Sequence, residues 1–418
     1  MAPSTNTELL VCGQISRLSV YKTIAFLASP KYNDGCFATE SGHRHFYNNK
    51  NNRLLNLIFE KLGLPQSPVI LAPLAGVSDH PFRRICSQNG ADLTYVEMIS
   101  ATALNYDSPK TLDMLTRHPN EKILGVQITG KTPEETAQAI EKLDKMNFDT
   151  IDINMGCPVK KVVKTGCGSA ILKDPEVARR YVQLARQATD KPLSFKIRLG
   201  WDDTLRTGLE VAQAGAESGA DWLTVHGRTR ADTYQTPVDL EAIGRIKSAV
   251  TIPVIGNGNL FCKNDADRML QTALVDGLMV SRGALGNPFV FSEIKGNTKP
   301  VDLDTWFQTC KDHLMWQQEA YGSRPIGTIC MRKHLLWYIK GWPAGKKARE
   351  AINQTSDHDG AFSILEEYYK FLQDKGHTER HPLIQQEEGR FIWDPKFEMD
   401  RKHDRGVGDD GLETSNHA

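Results

Sequence analysis

The chain has 418 residues, of which 40% are hydrophobic and 24% are charged, and its 51 Lys and Arg balance 51 Asp and Glu. The length favours two or three domains, and the composition is that of an ordinary soluble globular protein. No apolar run approaches the length of a membrane span, which argues against an integral membrane protein.

The eight cysteines are scattered along the chain and form no C-x-x-C pair. This spacing argues against a zinc ribbon and against a secreted disulfide scaffold, and it favours a reducing compartment. We therefore expect a cytoplasmic protein without a metal centre.

The first 66 residues have a composition of their own. Only three acidic residues precede Glu60, whereas Ser, Thr and Asn are frequent. A transit peptide is poor in acidic residues but rich in Arg, and here arginine is sparse and the amphipathic pattern is weak. We expect a poorly ordered extension over residues 1–66, with mitochondrial import as the minority interpretation.

Eight short apolar or β-branched segments alternate with helical segments over residues 67–298. The predicted strands are 69–72, 93–97, 123–129, 150–154, 193–199, 222–226, 253–256 and 277–281. The predicted helices lie near 79–88, 101–117, 133–146, 174–188, 205–218, 238–249 and 264–272. This alternation implies a parallel α/β sheet, and eight units over about 220 residues match a (β/α)₈ TIM barrel. A doubly wound sheet is the structural alternative, although it usually has fewer strands.

Beyond Asn297 the pattern changes to helices alone, near 302–320, 324–340, 346–354 and 361–373, which predicts a smaller all-α domain over 299–375. From Arg324 to Arg349 this region carries seven Lys or Arg and no Asp or Glu, and aromatic residues lie between the cations. Such a pattern fits contacts to nucleic-acid phosphates and bases, and a solvated helix face is the alternative. We expect residues 376–418 to form a polar tail.

Polar residues fall at successive predicted strand ends, where a barrel carries its functional groups. The loop after the fourth strand, Asn154-Met155-Gly156-Cys157-Pro158, holds one thiol on a turn that proline makes rigid. An isolated cysteine is more often a buried filler than a reactive group. Here Lys160 and Lys161 follow at once, and cations beside a thiol make it easier to ionise, so this is predicted to be a catalytic loop.

The seventh and eighth strand ends are rich in glycine, with Asn257-Gly258 and Arg282-Gly283. In a barrel this pair of loops commonly binds a phosphate through backbone N–H groups, and simple turns are the alternative. No G-x-G-x-x-G or P-loop pattern is present, so a phosphorylated cofactor across the barrel mouth fits better. The cluster of His226, Arg228 and Arg230 suits an anionic ligand, either a cofactor phosphate or a nucleic-acid backbone.

Lys196 is predicted to point into the barrel if the faces of its strand alternate normally. A buried ammonium group is costly without a partner. The electron-rich pyrimidine end of a reduced flavin would provide a partner, and an ion pair with Glu97 is the alternative.

The chain resembles the tRNA-dihydrouridine synthases at these residues, and in particular their bacterial B-type branch. The matching segments lie between about residues 68 and 355 and are 72–79, 152–158, 196–198, 226–230, 257–258, 282–283 and 331–338. The resemblance implies an FMN enzyme that reduces the C5–C6 double bond of a tRNA uridine, with NADPH or NADH as the reductant. Hydride from the reduced flavin would reach C6, and Cys157 would protonate C5 as a general acid. The uridine must leave its base stack to reach the barrel mouth.

The resemblance also implies a set of site residues. Those on the family's flavin contacts are Pro73, Leu74, Ala75, Gln127, Lys196, His226, Asn257, Gly258, Asn259, Ser281 and Arg282. Asn154 falls on the residue that contacts uracil. The cations expected to hold the tRNA are Arg198, Arg228, Arg230, Arg332, Lys333 and Lys340. The chain departs from the family pattern at Leu74, Asn259 and Ser281, where Met, Asp and Gly are usual, and Cys167 is a second thiol close to Cys157.

The protein is expected to be a monomer. Two other functions fit parts of the sequence. A flavin barrel that reduces a free pyrimidine-like metabolite would leave the basic helical region unexplained. A non-catalytic RNA-binding protein on a retained barrel would leave Cys157, Lys196 and His226 without a role.

Overall fold

The computed structural model describes residues 57–297 and 299–379, together with the backbone of 385–387 and 390–392. The predictions for residues 1–56 and for the remainder of the tail lie outside these described residues. Within the described part of the chain, no helix is both long enough and apolar enough to cross a membrane.

A parallel sheet forms the centre of the described structure. Its strands are β1 (Val69–Leu71), β2 (Thr94–Tyr95), β3 (Ile99–Ser100), β4 (Leu124–Thr129), β5 (Thr150–Asn154), β6 (Leu193–Arg198), β7 (Trp222–His226), β8 (Val254–Asn257) and β9 (Gly277–Val280). The hydrogen-bonded order is β1-β9-β8-β7-β6-β5-β4-β2, with β3 also paired to β4. A parallel bridge between Ile70 and Leu93 joins the two ends of this order and closes the barrel.

Strands β2 and β3 both pair with β4, so they act as one interrupted strand. The barrel therefore has eight strand positions, and the predicted TIM barrel is confirmed. Parallel strands in such a barrel direct all their carboxyl ends to one rim, where the loops that follow them meet.

Helices connect the strands and surround the barrel. In this part of the chain they are α1 (Leu57–Lys61), α2 (His80–Gln88), α3 (Ala101–Asn105), α4 (Pro109–Met114), α5 (Pro133–Asp144), α6 (Lys160–Lys164), α7 (Pro175–Ala188), α8 (Gly208–Glu217), α9 (Leu240–Ala249), α10 (Lys263–Ala273) and α11 (Val290–Ile294). Two 3₁₀ helices, Gly168–Lys173 and Arg282–Ala284, follow β5 and β9. The helical region after them contains α12 (Leu303–Tyr321), α13 (Pro325–Ile339), α14 (Gly345–Gln354) and α15 (His358–Asp374).

Local sequence signals explain where several of these helices begin. The Thr132 hydroxyl accepts a hydrogen bond from the Glu135 backbone N–H (3.2 Å) at the start of α5, and Pro133 occupies the first turn. The segment predicted as one helix over 101–117 is instead split into α3 and α4. Asp107 adopts a left-handed conformation (φ 51°) between them, and a helix cannot continue through that conformation.

Helix α1 corrects the predicted extension, which ran to residue 66. Phe59 is 1% exposed, and its ring centroid lies 6.1 Å from that of Trp222 at the first position of β7. Phe59 and Leu64 belong to an apolar cluster that also contains Ile70 and Tyr95. Burial of these side chains stabilises an ordered segment that the polar composition of the N-terminal region conceals.

The helical region has its own apolar core and packs against the barrel. Trp306 donates from its indole nitrogen to the carbonyl oxygen of Tyr338 (3.0 Å), which joins α12 to α13. Gly286, with φ +65°, lies so close to α13 that a Cβ atom there would be 2.2 Å from the Trp337 carbonyl oxygen. The barrel core includes Ile294, and the core of the helical region includes Leu303.

Two short strands lie in the segment predicted as a polar tail. Strands β10 (Gln385–Glu387) and β11 (Arg390–Ile392) pair with each other in antiparallel register. The sequence pattern did not predict this pair, because neither strand is longer than three residues.

Candidate active site

A cavity of about 800 Å³ opens at the rim formed by the carboxyl ends of the strands. Most of the predicted site residues line it, from seven different strand ends: Pro73, Leu74, Ala75, Gln127, Asn154, Cys157, Lys196, Arg198, His226, Arg228, Asn257, Gly258, Asn259, Ser281 and Arg282. Arg230, Arg332, Lys333 and Lys340 do not line it. The structure thus brings together residues that are up to 209 positions apart, from Pro73 to Arg282.

The side-chain amide of Asn154 fixes the loop that carries the thiol. Its oxygen accepts hydrogen bonds from the backbone N–H groups of Gly156 (3.2 Å) and Cys157 (2.9 Å). Its nitrogen donates to the side-chain oxygen of Gln127 (2.8 Å) on the neighbouring strand β4. The loop after β5 is therefore held to the barrel wall by one short side chain.

A buried network continues below Asn154. The Asp152 carboxylate accepts hydrogen bonds from the Gln127 amide (2.7 Å) and from the Ser194 hydroxyl (2.6 Å). Burial raises the pKa of Asp152 to about 6, although these hydrogen bonds and the charge of Lys196 oppose that rise. The network fixes the orientation of Gln127 and, through it, of the thiol loop.

The Cys157 thiol retains its proton more strongly than an exposed thiol. Burial raises its pKa, and the charges of Arg198 and Lys196 only partly offset that effect. The prediction that Lys160 and Lys161 would make the thiol easier to ionise is therefore wrong in its net direction. Both lysines are exposed, so water screens their charges, whereas the thiol itself is largely removed from water.

Cys167, the second thiol on this segment, does not line the cavity. It is 7% exposed, and the Thr165 hydroxyl lies 3.4 Å from its sulfur. The backbone N–H of Ser169 donates to the Cys157 carbonyl oxygen (3.0 Å), so the segment containing Cys167 supports the thiol loop from behind. Of these two cysteines, only Cys157 faces the cavity.

Lys196 occupies the middle of the cavity wall, next to Asn154 in the register of β5 and β6. Burial, followed by the nearby charge of Arg198, lowers its pKa to about 7. Its ammonium group makes no hydrogen bond or ion pair within the described part of the chain, and the alternative pair with Glu97 is not formed. The Glu97 carboxylate instead accepts a hydrogen bond from the backbone N–H of Gly76.

His226 is held as a neutral imidazole. Burial lowers its pKa far below the ordinary value, and the charges of Arg198, Lys196, Arg228 and Arg282 lower it further. A guanidinium nitrogen of Arg228 lies 3.3 Å from His226 Nε2. Because a guanidinium group only donates, Nε2 is the acceptor and the ring proton is on Nδ1.

Arg228 has no donor left for a ligand. It is 1% exposed, and its guanidinium group donates to the carbonyl oxygens of Tyr234 (2.9 Å) and Thr236 (2.7 Å), as well as to the side chain of Asn259 (3.3 Å). With His226 as a further partner, all five N–H groups have acceptors. Arg228 is predicted from the sequence to contact the substrate, but in the structure its side chain joins the loop after β7 to the loop after β8.

Arg198 is likewise engaged with the backbone. It is 5% exposed and donates to the carbonyl oxygens of Gly156 (3.0 Å) and Thr229 (2.8 Å). It therefore links the thiol loop to the loop that follows His226, and it places a positive charge beside the cavity.

The glycine-rich strand ends form one side of the cavity, as predicted. Gly258 has φ +125°, and a Cβ atom there would lie 3.0 Å from the His226 ring. Asn259 Nδ2 is buried without a hydrogen-bond partner within the described residues. The Arg282 guanidinium group lies 3.6 Å from the ring centroid of Tyr234. This side therefore presents a close backbone approach, an unused donor and a cation.

The predicted cations outside the cavity have other surroundings. Arg230 lies over the ring of Trp201 at 4.2 Å. Arg332 donates to the Asn353 carbonyl oxygen (2.9 Å), and Lys340 is the C-cap residue that follows α13. The Lys333 ammonium group approaches the loop after β1, where its charge lowers the pKa of Glu97 against the larger effect of burial.

The sequence reasoning missed part of the cavity wall. Lys160, Lys161 and Lys164 on α6 line the cavity, as do Tyr234 and Phe261. The sequence analysis assigns Lys160 and Lys161 only an effect on the ionisation of the thiol. With them, seven Lys or Arg line the cavity, and Asp232 is the single carboxylate among its lining residues. The cavity is thus suited to a polyanionic ligand.

Comparisons with known proteins agree with this geometry. The family model for dihydrouridine synthase matches residues 70–374. tRNA-dihydrouridine synthase B of Pseudomonas putida is 35% identical over 330 residues, which cover 78% of this chain and 95% of that protein. The protein of the same name from Shewanella oneidensis is 36% identical, and the match covers 73% of this chain and 97% of that protein. The Pasteurella multocida protein of the same name is 34% identical, and the match covers 73% of this chain and 93% of that protein.

Proposed function

Because this chain belongs to the dihydrouridine synthase family, we propose that it is a flavin-dependent oxidoreductase that reduces uridine in tRNA to 5,6-dihydrouridine. The match to relatives named tRNA-dihydrouridine synthase B agrees with the B-type resemblance of the sequence. The observation that carries the proposal is the convergence of Cys157, Lys196 and His226 on one cation-lined cavity.

The residues of the cavity fit a flavin. Lys196 offers an ammonium group without a hydrogen-bond partner in the described structure, and Asn259 offers an unused amide N–H. Gln127 and His226 lie on the same wall, and the glycine-rich strand ends with Arg282 suit a phosphate. We assign the cofactor as FMN, which has one phosphate, and the reductant as NADPH. When bound, the reduced flavin supplies the hydride that is added to uracil C6.

Cys157 supplies the proton for uracil C5. The thiol has a raised pKa, so it is protonated at neutral pH and is suited to act as a general acid. Asn154 and Arg198 hold the loop in place, which restricts the positions that the sulfur can take. Such positioning is a large part of what an enzyme contributes to a proton transfer.

Positive charge in the cavity stabilises the negative charge that develops on the pyrimidine ring and its carbonyl oxygens. Arg198 donates to the Gly156 carbonyl oxygen of the thiol loop (3.0 Å), and Lys196 lines the same cavity. Arg198 is charged at all physiological pH values, whereas Lys196, with a pKa of about 7, carries part of a charge at neutral pH. Neutral His226 offers hydrogen bonding without adding a further charge. Fixed charges in a site with little water are worth more than the same charges in solution.

The lysines of α6 extend the cation-lined surface from the cavity to the exterior. Lys160, Lys161 and Lys164 are exposed and follow the thiol loop directly. We propose that they contact the phosphates on either side of the uridine when the base leaves its stack. Arg332, Lys333 and Lys340 of the helical region would contact parts of the tRNA that lie further from the reacting uridine. We also propose that the protein acts as a monomer in the cytoplasm.

The function is tested by incubating the purified full-length protein, NADPH and unmodified tRNA, followed by nucleoside mass spectrometry. We expect flavin absorption from the purified protein and dihydrouridine in the tRNA. Free uridine serves as the matched substrate. Product from free uridine alone would favour the metabolite reductase, and a protein that binds tRNA without flavin or product would overturn the enzyme assignment.

A further inference from the structure

Three polar side chains that the mechanism does not use meet where the barrel contacts the helical region. Asp79 lies at the start of α2, His313 lies on α12 and His334 lies on α13. They are 8%, 0% and 2% exposed. One ligand atom from each of them lies within 4.8 Å of the others. None of the three lines the catalytic cavity.

Several atoms of this cluster have no hydrogen-bond partner among the described residues. They are Nε2 of His313, Nδ1 of His334 and the side-chain oxygen of the adjacent Gln317. Burying a polar atom without a hydrogen-bond partner is costly, so three such atoms at one place call for a ligand. An apolar environment surrounds them, since the Phe82 ring lies 4.8 Å from that of His334.

Neighbouring groups orient two of the three side chains. The Tyr338 hydroxyl lies 3.0 Å from Nδ1 of His313, so a proton on Nδ1 leaves Nε2 with a free lone pair. Oδ2 of Asp79 accepts hydrogen bonds from Gln317 (3.0 Å) and from the Tyr321 hydroxyl (3.1 Å), and its Oδ1 accepts from the Phe82 backbone N–H (3.2 Å) at the start of α2. Such outer partners of histidine and carboxylate ligands are typical of metal sites.

We propose that Asp79, His313 and His334 form a structural site for a divalent cation of the zinc type. Two imidazoles and a carboxylate are a common zinc donor set, with Gln317 or a water molecule as the fourth ligand. Zinc–ligand distances of about 2.0–2.1 Å require the three donor atoms to move closer together by side-chain rotation. A bound cation would join the loop after β1 to α12 and α13, and so fix the helical region on the barrel.

Sequence reasoning predicted no metal site, and the reason is spacing. The ligands are separated by 234 and 21 residues, from 79 to 313 and from 313 to 334. No local motif contains them, and only the packing of the helical region on the barrel brings them together. The site does not depend on the proposed function, because it shares no residue with the catalytic cavity.

The test uses the full-length flavoprotein, treated with a chelator, incubated with one equivalent of zinc chloride and passed through a desalting column. We expect about one zinc per chain by elemental mass spectrometry. Zinc X-ray absorption should show nitrogen and oxygen neighbours at about 2.0–2.1 Å and no sulfur at about 2.3 Å. The variants Asp79→Asn, His313→Gln and His334→Gln should each retain less than a tenth of the zinc bound by the unaltered protein.

The matched control is His358→Gln, because His358 is also buried (6% exposed) with an unpartnered Nε2 but lies outside the cluster. It should retain zinc like the unaltered protein. Failure of the unaltered protein to retain zinc, a sulfur shell from its cysteines, or full retention by the three variants would overturn the proposal. If the variants do not fold, two measurements on the unaltered protein still test the site. Its zinc X-ray absorption spectrum should show nitrogen and oxygen neighbours, and zinc should raise its Tm. A sulfur shell or an unchanged Tm would overturn the proposal.

Discussion

The Cys157 thiol shows how burial and neighbouring charge compete at one side chain. The sequence places two lysines directly after the loop, which favours a lowered pKa, yet the structure raises it. Charge close in sequence did not decide the outcome, because Lys160 and Lys161 lie on the exposed part of the cavity rim, where water screens their charges. A raised pKa suits a proton donor better than the lowered pKa expected from the sequence, because a donor must keep its proton until the reaction.

We predict that Cys157→Ala retains its flavin but reduces tRNA uridine about 10²–10⁴-fold more slowly, which is the usual contribution of a general acid. The rate of the unaltered enzyme should fall as the pH rises through the raised pKa of the thiol, because the protonated form is then lost. The variant should lack this alkaline decline. Single-turnover oxidation of the reduced flavin by tRNA measures both effects.

Cys167→Ala is the matched control, because this thiol is buried on the same segment but does not line the cavity. It should keep both the rate and the alkaline decline of the unaltered enzyme. An unchanged rate in Cys157→Ala would show that another group donates the proton.

Residue identity was easier to predict than residue role. Arg228 and Arg198 were recognised as cations at strand ends, and both are there. Their hydrogen bonds to backbone carbonyl oxygens depend on loop conformations that no sequence pattern encodes. For Arg228 we infer a positioning role in place of the substrate contact first expected.

At the scale of elements, the alternation of strand and helix segments in the sequence predicts most of the observed fold. The (β/α)₈ order follows from the alternation of apolar and helical segments, because this signal is local; caps such as Thr132 then fix where individual helices begin. The splitting of α3 from α4 and the ordering of α1 were missed, since they depend on a single left-handed residue and on distant packing partners.

Helix α1 provides a test of such distant packing. We predict that Phe59→Ala lowers the free energy of unfolding by about 3–5 kcal/mol, the usual cost of removing a buried aromatic ring. Phe59 is 1% exposed against Trp222, whereas Leu57 on the same helix is 53% exposed. Leu57→Ala should therefore change stability by less than about 0.5 kcal/mol. Chemical denaturation of the two variants measures the difference, and equal effects would show that α1 does not pack as described.

At the scale of the whole molecule, positive charge is concentrated on one rim although the net charge of the chain is zero. Seven cations line the cavity, and the basic stretch of the helical region adds more on α13 and α14. Composition alone conceals this arrangement, because Asp and Glu elsewhere in the sequence cancel it in the total.

We predict that replacing Lys160, Lys161 and Lys164 together with Gln weakens tRNA binding and reduces its salt dependence. Each lost phosphate contact should lower the slope of log K against log salt by about 0.7–0.9. The same replacement of Arg332, Lys333 and Lys340 tests the helical region. Binding measured across a salt series separates the two groups.

Lys61→Gln is the control for the salt series, because Lys61 is exposed on α1 at the opposite end of the barrel. Its slope should equal that of the unaltered protein. An unchanged slope in either triple variant would exclude that group from the contact with RNA.

The hydrogen bonds of Asn154 have a consequence for which bases the cavity accepts. Both lone pairs of its side-chain oxygen are occupied by backbone N–H groups, and one N–H of its amide is given to Gln127. What the side chain still offers to an incoming ring is a single N–H. A pyrimidine with a carbonyl oxygen at that point would accept a hydrogen bond from this N–H. An exocyclic amino group there could not, because both groups are hydrogen-bond donors. In this way the same side chain that anchors the thiol loop would also favour uracil over cytosine.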